Sequence, residues 1–218
     1  MKTYGQFCPI ARGSEIFATR WTPIIVRNML LGCRTFGEIT EGAPGIPRSL
    51  LSERLKDLEI LGLVVSRPNP NGRGSLYELT EAGQDLGQVC DALGEWGARW
   101  LELAPEHLDP HLTLWSVCKA IDRAFLPEEP VTMRFEFADA PRGQSRFWLL
   151  VQRPEPEVCV KPPGFDENLV VRTDPEWLAR WRLGETTLGG GMKARRVRVS
   201  GPRHMATALK NWVEGAGS

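Results

Sequence analysis

The sequence predicts an α+β protein with two domains. Its 218 residues are enough for two hydrophobic cores of ordinary size. In the first half, apolar residues recur mostly at helical spacing, whereas the second half contains several strand-like runs between helices. A linker bounded by Pro105 and Pro110 separates the two patterns, so we place the domains at residues 1–105 and 111–218.

The overall charge is balanced, with 27 basic and 27 acidic side chains. Any contact with nucleic acid must therefore come from a local basic patch. The five cysteines are odd in number and form no C-x-x-C motif, which is typical of reduced thiols in a cytosol. No run approaches the roughly 18 apolar residues of a membrane span, and the N-terminus lacks the apolar core of a signal peptide. We expect a cytoplasmic protein without a membrane partner.

One early segment has the pattern of a helix-turn-helix. Thr35–Glu38 has the spacing of a capping box, which predicts the start of a short helix. A Gly/Pro-rich turn at 41–45 ends that helix, and a second follows in which Leu51, Leu55 and Leu58 share one side. Any amphipathic surface helix looks similar, but the polar side of this one has the chemistry to reach phosphates and base edges of DNA. Its candidate contacts are Arg48, Ser49, Ser52, Glu53 and Lys56.

A β-hairpin is predicted directly after this helix. Two strand-forming runs, 63–66 and 75–79, lie on either side of an Asn71-Gly72 turn. Arg67 and Arg73 lie near the tip with no acidic residue between them. A hairpin on its own would be a solvated loop. Next to a helix-turn-helix it is better interpreted as a wing that lies along the phosphate backbone.

A long helix capped by Thr80 carries a heptad-like apolar seam, which includes Leu93, Trp96 and Trp100. The seam either packs on the core of its own domain or pairs with its copy in a second subunit. We favour pairing, because a core of this size seldom needs two tryptophans on a terminal helix. The three residues are therefore predicted to form a homodimer interface.

The order and spacing of these segments resemble the HxlR-type winged helix-turn-helix regulators over residues 1–105. The segments that carry the resemblance are Cys8-Pro9, Trp21-Thr22, Arg34–Ile39, Gly45-Ile46, Leu51–Leu55, Leu58-Glu59, Gly62–Val64 and Tyr77–Gly83. The resemblance implies a homodimeric bacterial regulator that binds double-stranded DNA, with terminal helices forming the dimer and the second helix of the motif in the major groove. The sequence departs from the family pattern at Pro47 and Ser49, where the family usually has a serine cap and a basic residue. This departure affects which bases the helix reads.

Cys8 matches a cysteine near the N-terminus that some regulators of this family use to sense oxidants or electrophiles. A thiol near the start of a helix can have a lowered pKa, which favours the reactive thiolate. The alternative is that Cys8 is a small packing residue. Both interpretations are kept, and Cys8 is a candidate redox sensor.

The second domain is predicted to be an antiparallel sheet covered by helices. Its clearest strand is the strictly alternating run Val131–Phe137. Further strands are predicted at 146–152, 157–161, 169–173 and 196–199, and helices at 112–125, from Pro175 onward and at 202–213. The order of the later elements resembles the C-terminal part of sterol-carrier-protein-like domains, which hold lipids or other apolar molecules between sheet and helices.

No catalytic set appears in the second domain. The histidines His107, His111 and His204 lack metal-ligand spacing with the cysteines. Gly189–Gly191 is predicted to be a flexible turn, because the Gly-Lys-Ser/Thr of a phosphate loop does not follow it and no strand precedes it. We therefore expect no enzyme, no metal and no cofactor.

Aromatic residues on the apolar faces of the second domain have two interpretations. They either fill the core of a small domain or line an apolar cavity that binds an effector. The candidate pocket residues are Phe135, Phe137, Trp148, Trp177 and Trp181. The sequence thus predicts a homodimeric DNA-binding regulator with an apolar effector. The alternative is a lipid-carrier or protein-interaction module whose winged helix does not bind DNA.

Overall fold

The structure is a computed structural model that describes residues 3–70, 72–138, 140 and 145–214. Asn71 of the predicted hairpin turn lies outside the described residues. The chain forms two compact units, Met1–Leu101 and Glu102–Ser218, named here the N-terminal unit and the C-terminal unit. Among the described helices, none combines the length and the apolar character needed to cross a bilayer.

The N-terminal unit is a winged helix-turn-helix, as predicted. Its elements are α1 (Pro9–Phe17), α2 (Thr22–Leu30), α3 (Phe36–Glu41), α4 (Arg48–Ile60), β1 (Val64–Pro68), β2 (Ser75–Leu79) and α5 (Glu81–Trp100). Helices α3 and α4 are the two helices of the motif, and β1 and β2 pair in the antiparallel hairpin that follows them.

Helix α2 lies in the core of this unit and holds the motif in place. Its aliphatic residues Ile25 and Val26 are completely buried. Nδ2 of the buried Asn28 donates to the carbonyl oxygen of Ile39 over 2.9 Å, and Nη2 of Arg27 donates to that of Gly42 over 2.7 Å. Buried polar groups are stable when they are hydrogen-bonded in this way. The two bonds fix the end of α3 and therefore the turn before α4.

The C-terminal unit combines helices with a five-stranded sheet. Its elements are a 3-10 turn (Pro105–His107), α6 (Pro110–Ala120), a second 3-10 turn (Arg123–Phe125), β3 (Val131–Phe137), β4 (Arg146–Val151), β5 (Glu157–Cys159), β6 (Glu167–Thr173), α7 (Pro175–Arg182), α8 (Leu188–Lys193), β7 (Arg198–Ser200) and α9 (Arg203–Glu214). The predicted strand over β3 is confirmed.

The sheet of the C-terminal unit is mixed, and the predicted antiparallel sheet is wrong. The strand order is β5-β4-β3-β6-β7, and β3 runs antiparallel to β4 but parallel to β6. After β5, residues 160–166 return the chain to the end of the sheet where β3 begins, and β6 is added on the free side of β3. Alternation of apolar residues predicts a strand, but it contains no information about which way that strand runs.

One face of the sheet forms the core with α6, α7 and α9. Met133 and Phe135 of β3 point into it and are almost completely buried, as are Leu114 of α6, Leu178 of α7 and Leu209 of α9. The three helices also pack against one another. The other sheet face combines charged side chains with the buried Trp148 and Leu150.

The Gly189–Gly191 segment is helical, so the predicted flexible turn is wrong. Helix α8 is capped by Thr187, whose Oγ1 accepts from the backbone N–H of Gly190 over 3.0 Å. A Cβ atom on Gly191 would overlap the indole ring of Trp177. Glycine is required there for close packing, which outweighs its low helix propensity.

Candidate nucleic-acid interface

Helix α3 begins with the capping box that the sequence predicts. The backbone N–H of Glu38 donates to Oγ1 of Thr35 over 3.2 Å, and that of Thr35 donates to Oε2 of Glu38 over 2.8 Å. The N–H of Arg34 reaches the same carboxylate oxygen over 2.7 Å. These bonds satisfy free N–H groups at the helix start and fix where α3 begins.

Helix α4 has one buried and one exposed side. Leu51, Leu55 and Leu58 are buried, which fixes the rotation of the helix about its axis. The five predicted contact residues all lie on the exposed side: Arg48, Ser49, Ser52, Glu53 and Lys56. The helix therefore presents them together, beside α3, on the surface of the N-terminal unit.

Some polar side chains of α4 already have partners. The guanidinium carbon of Arg48 lies 5.1 Å from the centre of the Phe36 ring, which is cation–π geometry. Nη1 of Arg54 donates to Oε1 of Glu53 and to Oδ2 of Asp57, each over 3.0 Å. Arg54 is not among the predicted contact residues; it is mostly buried and binds two carboxylates, of which its single positive charge offsets one.

The β1–β2 hairpin is attached to the start of α3. Its register runs from Val64 opposite Leu79 to Pro68 opposite Ser75. Thr35 forms an isolated bridge with Leu76. The backbone N–H of Tyr77 also donates to the carbonyl oxygen of Arg34 over 2.7 Å. The hairpin and the helix-turn-helix are thereby held in one fixed arrangement.

The charges of the hairpin differ from those expected from sequence. Nη2 of Arg67 donates to Oε1 of Glu78 on the facing strand over 2.7 Å, and Arg34 pairs with the same carboxylate. Arg73 is exposed and has no ion pair with any residue that the structure describes. This group was missed because Glu78 reaches Arg67 only across the folded hairpin, and Arg34 only where the hairpin contacts the segment before α3.

The second half of α5 carries large apolar side chains on its surface. Leu93 is 50% exposed, Trp96 54% and Trp100 64%. Helix α1 has no buried residue; its Ile10 is exposed, as is Phe7 just before the helix. Large apolar side chains exposed on one side of a helix, as on α5, are typical of an interaction site.

Cys8 is one of three partly buried cysteines, the others being Cys90 and Cys159. It is the N-cap residue of α1 and is only partly buried. Cys33 and Cys118 are buried. Burial raises the pKa of the Cys90 and Cys159 thiols, which keeps them protonated and less reactive.

Four of the five predicted pocket aromatics lie in the core of the C-terminal unit. Phe135, Phe137, Trp177 and Trp181 are each at most 3% exposed. The rings of Trp177 and Trp181 stack with centroids 5.0 Å apart, and those of Phe135 and Phe137 lie 6.3 Å apart. These rings contribute to the packed core of the unit.

Trp148 does not join the other four aromatics, so the predicted grouping is wrong. In the β3–β4 register it is opposite Arg134, whereas Phe135 is opposite Phe147. Because successive side chains of a strand point to opposite faces, Trp148 lies on the other face of the sheet. Its Nε1 donates to Oε1 of Glu167 over 2.9 Å.

Two histidines of the C-terminal unit have local contacts. Nδ1 of His107 accepts from the N–H of Ala104 over 3.0 Å, and the ring of His111 lies 5.5 Å from that of Phe147. Within the described ranges, no group of three or more His, Cys, Asp or Glu side chains is arranged to hold a metal ion.

The N-terminal unit is similar to known proteins. Residues 16–105 match the family described as HxlR-like helix-turn-helix. The chain is 32% identical over 106 residues to the uncharacterized HTH-type transcriptional regulator YvaP of Bacillus subtilis, covering 48% of this chain and 96% of that protein. It is 35% identical over 116 residues to the uncharacterized HTH-type transcriptional regulator MT3179 of Mycobacterium tuberculosis, covering 47% of this chain and 73% of that protein. Among solved structures, the reduced form of the regulator YodB from B. subtilis is 31% identical, covers 44% of this chain and 97% of its own, and has a TM-score of 0.39.

The relatives are transcriptional regulators, a class of proteins that are not enzymes, and this agrees with the absence of a catalytic pattern in the sequence. The family match ends at residue 105 and says nothing about the C-terminal unit. Through its N-terminal unit, the chain belongs to the HxlR-like helix-turn-helix family of transcriptional regulators.

Proposed function

We propose that the protein regulates transcription by binding operator DNA as a homodimer. In this proposal α4 enters the major groove and the β1–β2 hairpin lies along the backbone, the usual docking of a helix-turn-helix with a wing. The observation that carries the proposal is the exposed polar side of α4, next to α3 and with its apolar side anchored in the core. A module that binds only proteins or lipids would not need to keep this side polar and basic.

The side chains of α4 have distinct proposed roles. Ser49, Ser52 and Lys56 are exposed and free of partners within the described residues, so they are available to base edges and phosphates. Arg48 is held against Phe36, which limits the positions of its guanidinium. Glu53 can accept from the amino group of cytosine once it exchanges its bond with the neighbouring arginine.

The hairpin arginines are proposed to contribute unequally to backbone binding. Arg73 has its full charge available for a phosphate. Arg67 shares Glu78 with Arg34, so this group of three carries a net charge of one. We therefore assign the stronger phosphate contact to Arg73.

The proposed dimer is supported by the apolar surface of α5 and α1. Leu93, Trp96 and Trp100 are half exposed or more, and a tryptophan buries about 150–250 Å² when it is fully covered. A two-fold interface formed by α5 would place two α4 helices on one side of a duplex. The operator would then be an imperfect palindrome with half-sites about 34–36 Å apart.

Cys8 is proposed as the redox-sensitive position. Its partial exposure at the start of α1 supports this, as does its place between Phe7 and Ile10, two residues of the apolar surface assigned to the dimer. Oxidation of Cys8 would change that surface and, through it, the spacing of the α4 helices. The packing alternative predicts no such link.

The C-terminal unit is proposed to be the regulatory part of the protein. Its likeness to sterol-carrier-protein-like domains stays a prediction. The prediction of an apolar effector depends on five aromatic side chains, and the packing of these side chains removes that support.

An electrophoretic shift assay with the DNA upstream of the protein's own gene tests the proposed function. The wild type should shift this duplex, whereas a Ser52→Ala/Lys56→Ala variant should bind it more weakly. Lys161→Ala in the C-terminal unit is the control for loss of one positive charge. A wild type that shifts no duplex at low salt would favour the lipid-carrier or protein-interaction module.

A further inference from the structure

The C-terminal unit contains a groove of about 640 Å³ at one end of its sheet. The parallel strands β3 and β6 both finish there, with Phe137 opposite Thr173. Strands β4 and β7 begin at the same end. In open sheets with parallel strands, ligands bind outside the carboxyl ends of those strands. A volume of this size is also within the range of about 300–1,000 Å³ for small-molecule sites.

The groove is strongly basic. Its described lining contains two acidic side chains, Glu136 and Asp174. Against these stand five arginines contributed by β4, β6, β7 and the turn before β7, namely Arg146, Arg172, Arg195, Arg196 and Arg198. The lining therefore has an excess of three positive charges.

Both acidic side chains are already paired. Nε of Arg172 donates to Oε2 of Glu136 over 2.6 Å. Arg196 binds Asp174 with two bonds, from Nε over 2.8 Å and from Nη2 over 2.7 Å. Asp174 is also the N-cap of α7, where it accepts from the N–H of Trp177 over 2.8 Å. The carboxylates thus fix two of the arginines in the groove wall.

The other three arginines have charge to spare. Arg146, Arg195 and Arg198 are exposed and form no ion pair within the part of the chain that the structure describes. Guanidinium groups present several N–H donors in a rigid plane and match phosphate and carboxylate groups well. Three of them around one cavity favour a ligand with several negative charges.

The backbone at Arg195 adds an independent observation. The N–H of Arg196 donates to the carbonyl oxygen of Gly191 over 2.9 Å, and the N–H of Arg195 donates to the carbonyl oxygen of Met192 over 3.1 Å. These are the two hydrogen bonds of a Schellman motif at the end of α8. Arg195 has the left-handed φ of this motif, 59°, where glycine is usual. An arginine at this strained position places its charge beside the groove.

We propose that this groove binds a small organic molecule that carries two or more phosphate or carboxylate groups. Arg146, Arg195 and Arg198 bind its oxygens, while Arg172 and Arg196 are held by their carboxylates as part of the wall. The structure favours a small molecule over a DNA backbone because the basic side chains surround a concave space that also contains two carboxylates. If the proposed function is correct, this ligand is an effector of DNA binding, but its binding can be measured without DNA.

Isothermal titration of the full-length protein with sodium pyrophosphate and, separately, with citrate tests the proposal at low salt. At least one of the two anions should bind saturably with one site per chain, and added salt should weaken the binding. Binding of pyrophosphate but not citrate would indicate a phosphate ligand, and binding of citrate but not pyrophosphate would indicate a carboxylate ligand. Because no DNA is present, this result is independent of the shift assay.

Matched variants locate the binding. Arg195→Ser/Arg198→Ser should weaken it about tenfold or more, as expected for the loss of charge-assisted hydrogen bonds. Arg146→Ser, a single change of an exposed side chain on another strand, should also weaken it and serves if the double variant does not fold. The control Lys161→Ser removes one positive charge just after β5, at a residue outside the groove lining, and should leave affinity unchanged.

Three results would overturn the proposal. The first is no saturable binding of either anion below about 1 mM by the wild type, since weaker binding is hard to separate from general charge attraction. The second is an equal loss of affinity in Lys161→Ser and in the groove variants. The third is that random-sequence duplex DNA displaces the anion from the wild type and that the groove variants no longer bind this DNA. This result would assign the groove to the nucleic-acid backbone.

Discussion

A negative charge at Trp96 should separate the proposed dimer into monomers. Trp96 is 54% exposed in the single chain. An indole of about 250 Å² would therefore lose roughly 130 Å² more to a second copy, worth about 3 kcal/mol per chain at about 25 cal/mol per Å². Area overstates association energies, so we expect Trp96→Ala to weaken the dimer by about 3 kcal/mol in total, roughly 100-fold. Trp96→Glu adds the cost of covering a charge and should leave monomers at micromolar concentration.

Sedimentation velocity over a concentration series measures this effect. The control is Ala98→Glu, which places the same charge on the same helix about 200° away from Trp96, at a residue that is also exposed. Ala98→Glu should remain dimeric. A wild type that is already monomeric at micromolar concentration, or equal dissociation of the two variants, would refute the assignment of α5 as the interface.

Four further predictions concern DNA contact, redox sensing and stability. Ser52→Ala should relax base preference at one position by about 1–3 kcal/mol, measured by competition between operator variants. Arg73→Ala should weaken all duplexes alike and make the slope of log affinity against log salt shallower by about one, whereas Arg67→Ala should change the slope less because Arg67 is paired; equal slopes would contradict this. Cys8→Ser should make DNA binding insensitive to diamide, and unchanged sensitivity would leave Cys8 with a packing role. Asp174→Ala should cost about 1 kcal/mol through loss of the α7 cap, measured by denaturant unfolding. Burial alone would raise the pKa of Asp174, but hydrogen bonds from a guanidinium and from a backbone N–H outweigh it and lower the pKa. The charged carboxylate therefore stabilises the fold above its ordinary pKa of about 3.9, and the difference between variant and wild type should shrink as the pH falls below that value.

Local patterns in the sequence predicted the parts of the fold that depend on nearby residues. The capping box at Thr35 and Glu38 involves residues three apart, and the buried side of α4 follows from the spacing of its leucines. The strand β3 is readable because its side chains alternate. In each case the decisive contacts are set by helix or strand geometry, which a single segment specifies.

Features that depend on distant residues were missed. The direction of β6 relative to β3 is set by the path of the chain after β5. The helix α8 forms although it contains three glycines, because a tryptophan from α7 packs against Gly191. The pairing of Arg67 with Glu78 requires the hairpin register. The basic groove brings together strands that are far apart in the sequence, so no local motif could have indicated it.

The most direct test of the account is a comparison of two duplexes of equal length. One contains the DNA upstream of the protein's own gene, and the other contains the same bases in scrambled order. Fluorescence anisotropy at physiological salt should give an affinity for the first that is about 1,000-fold higher or more, the usual margin of specific over non-specific binding. Equal affinity for both duplexes, or no binding to either, would contradict the claim that α4 reads an operator.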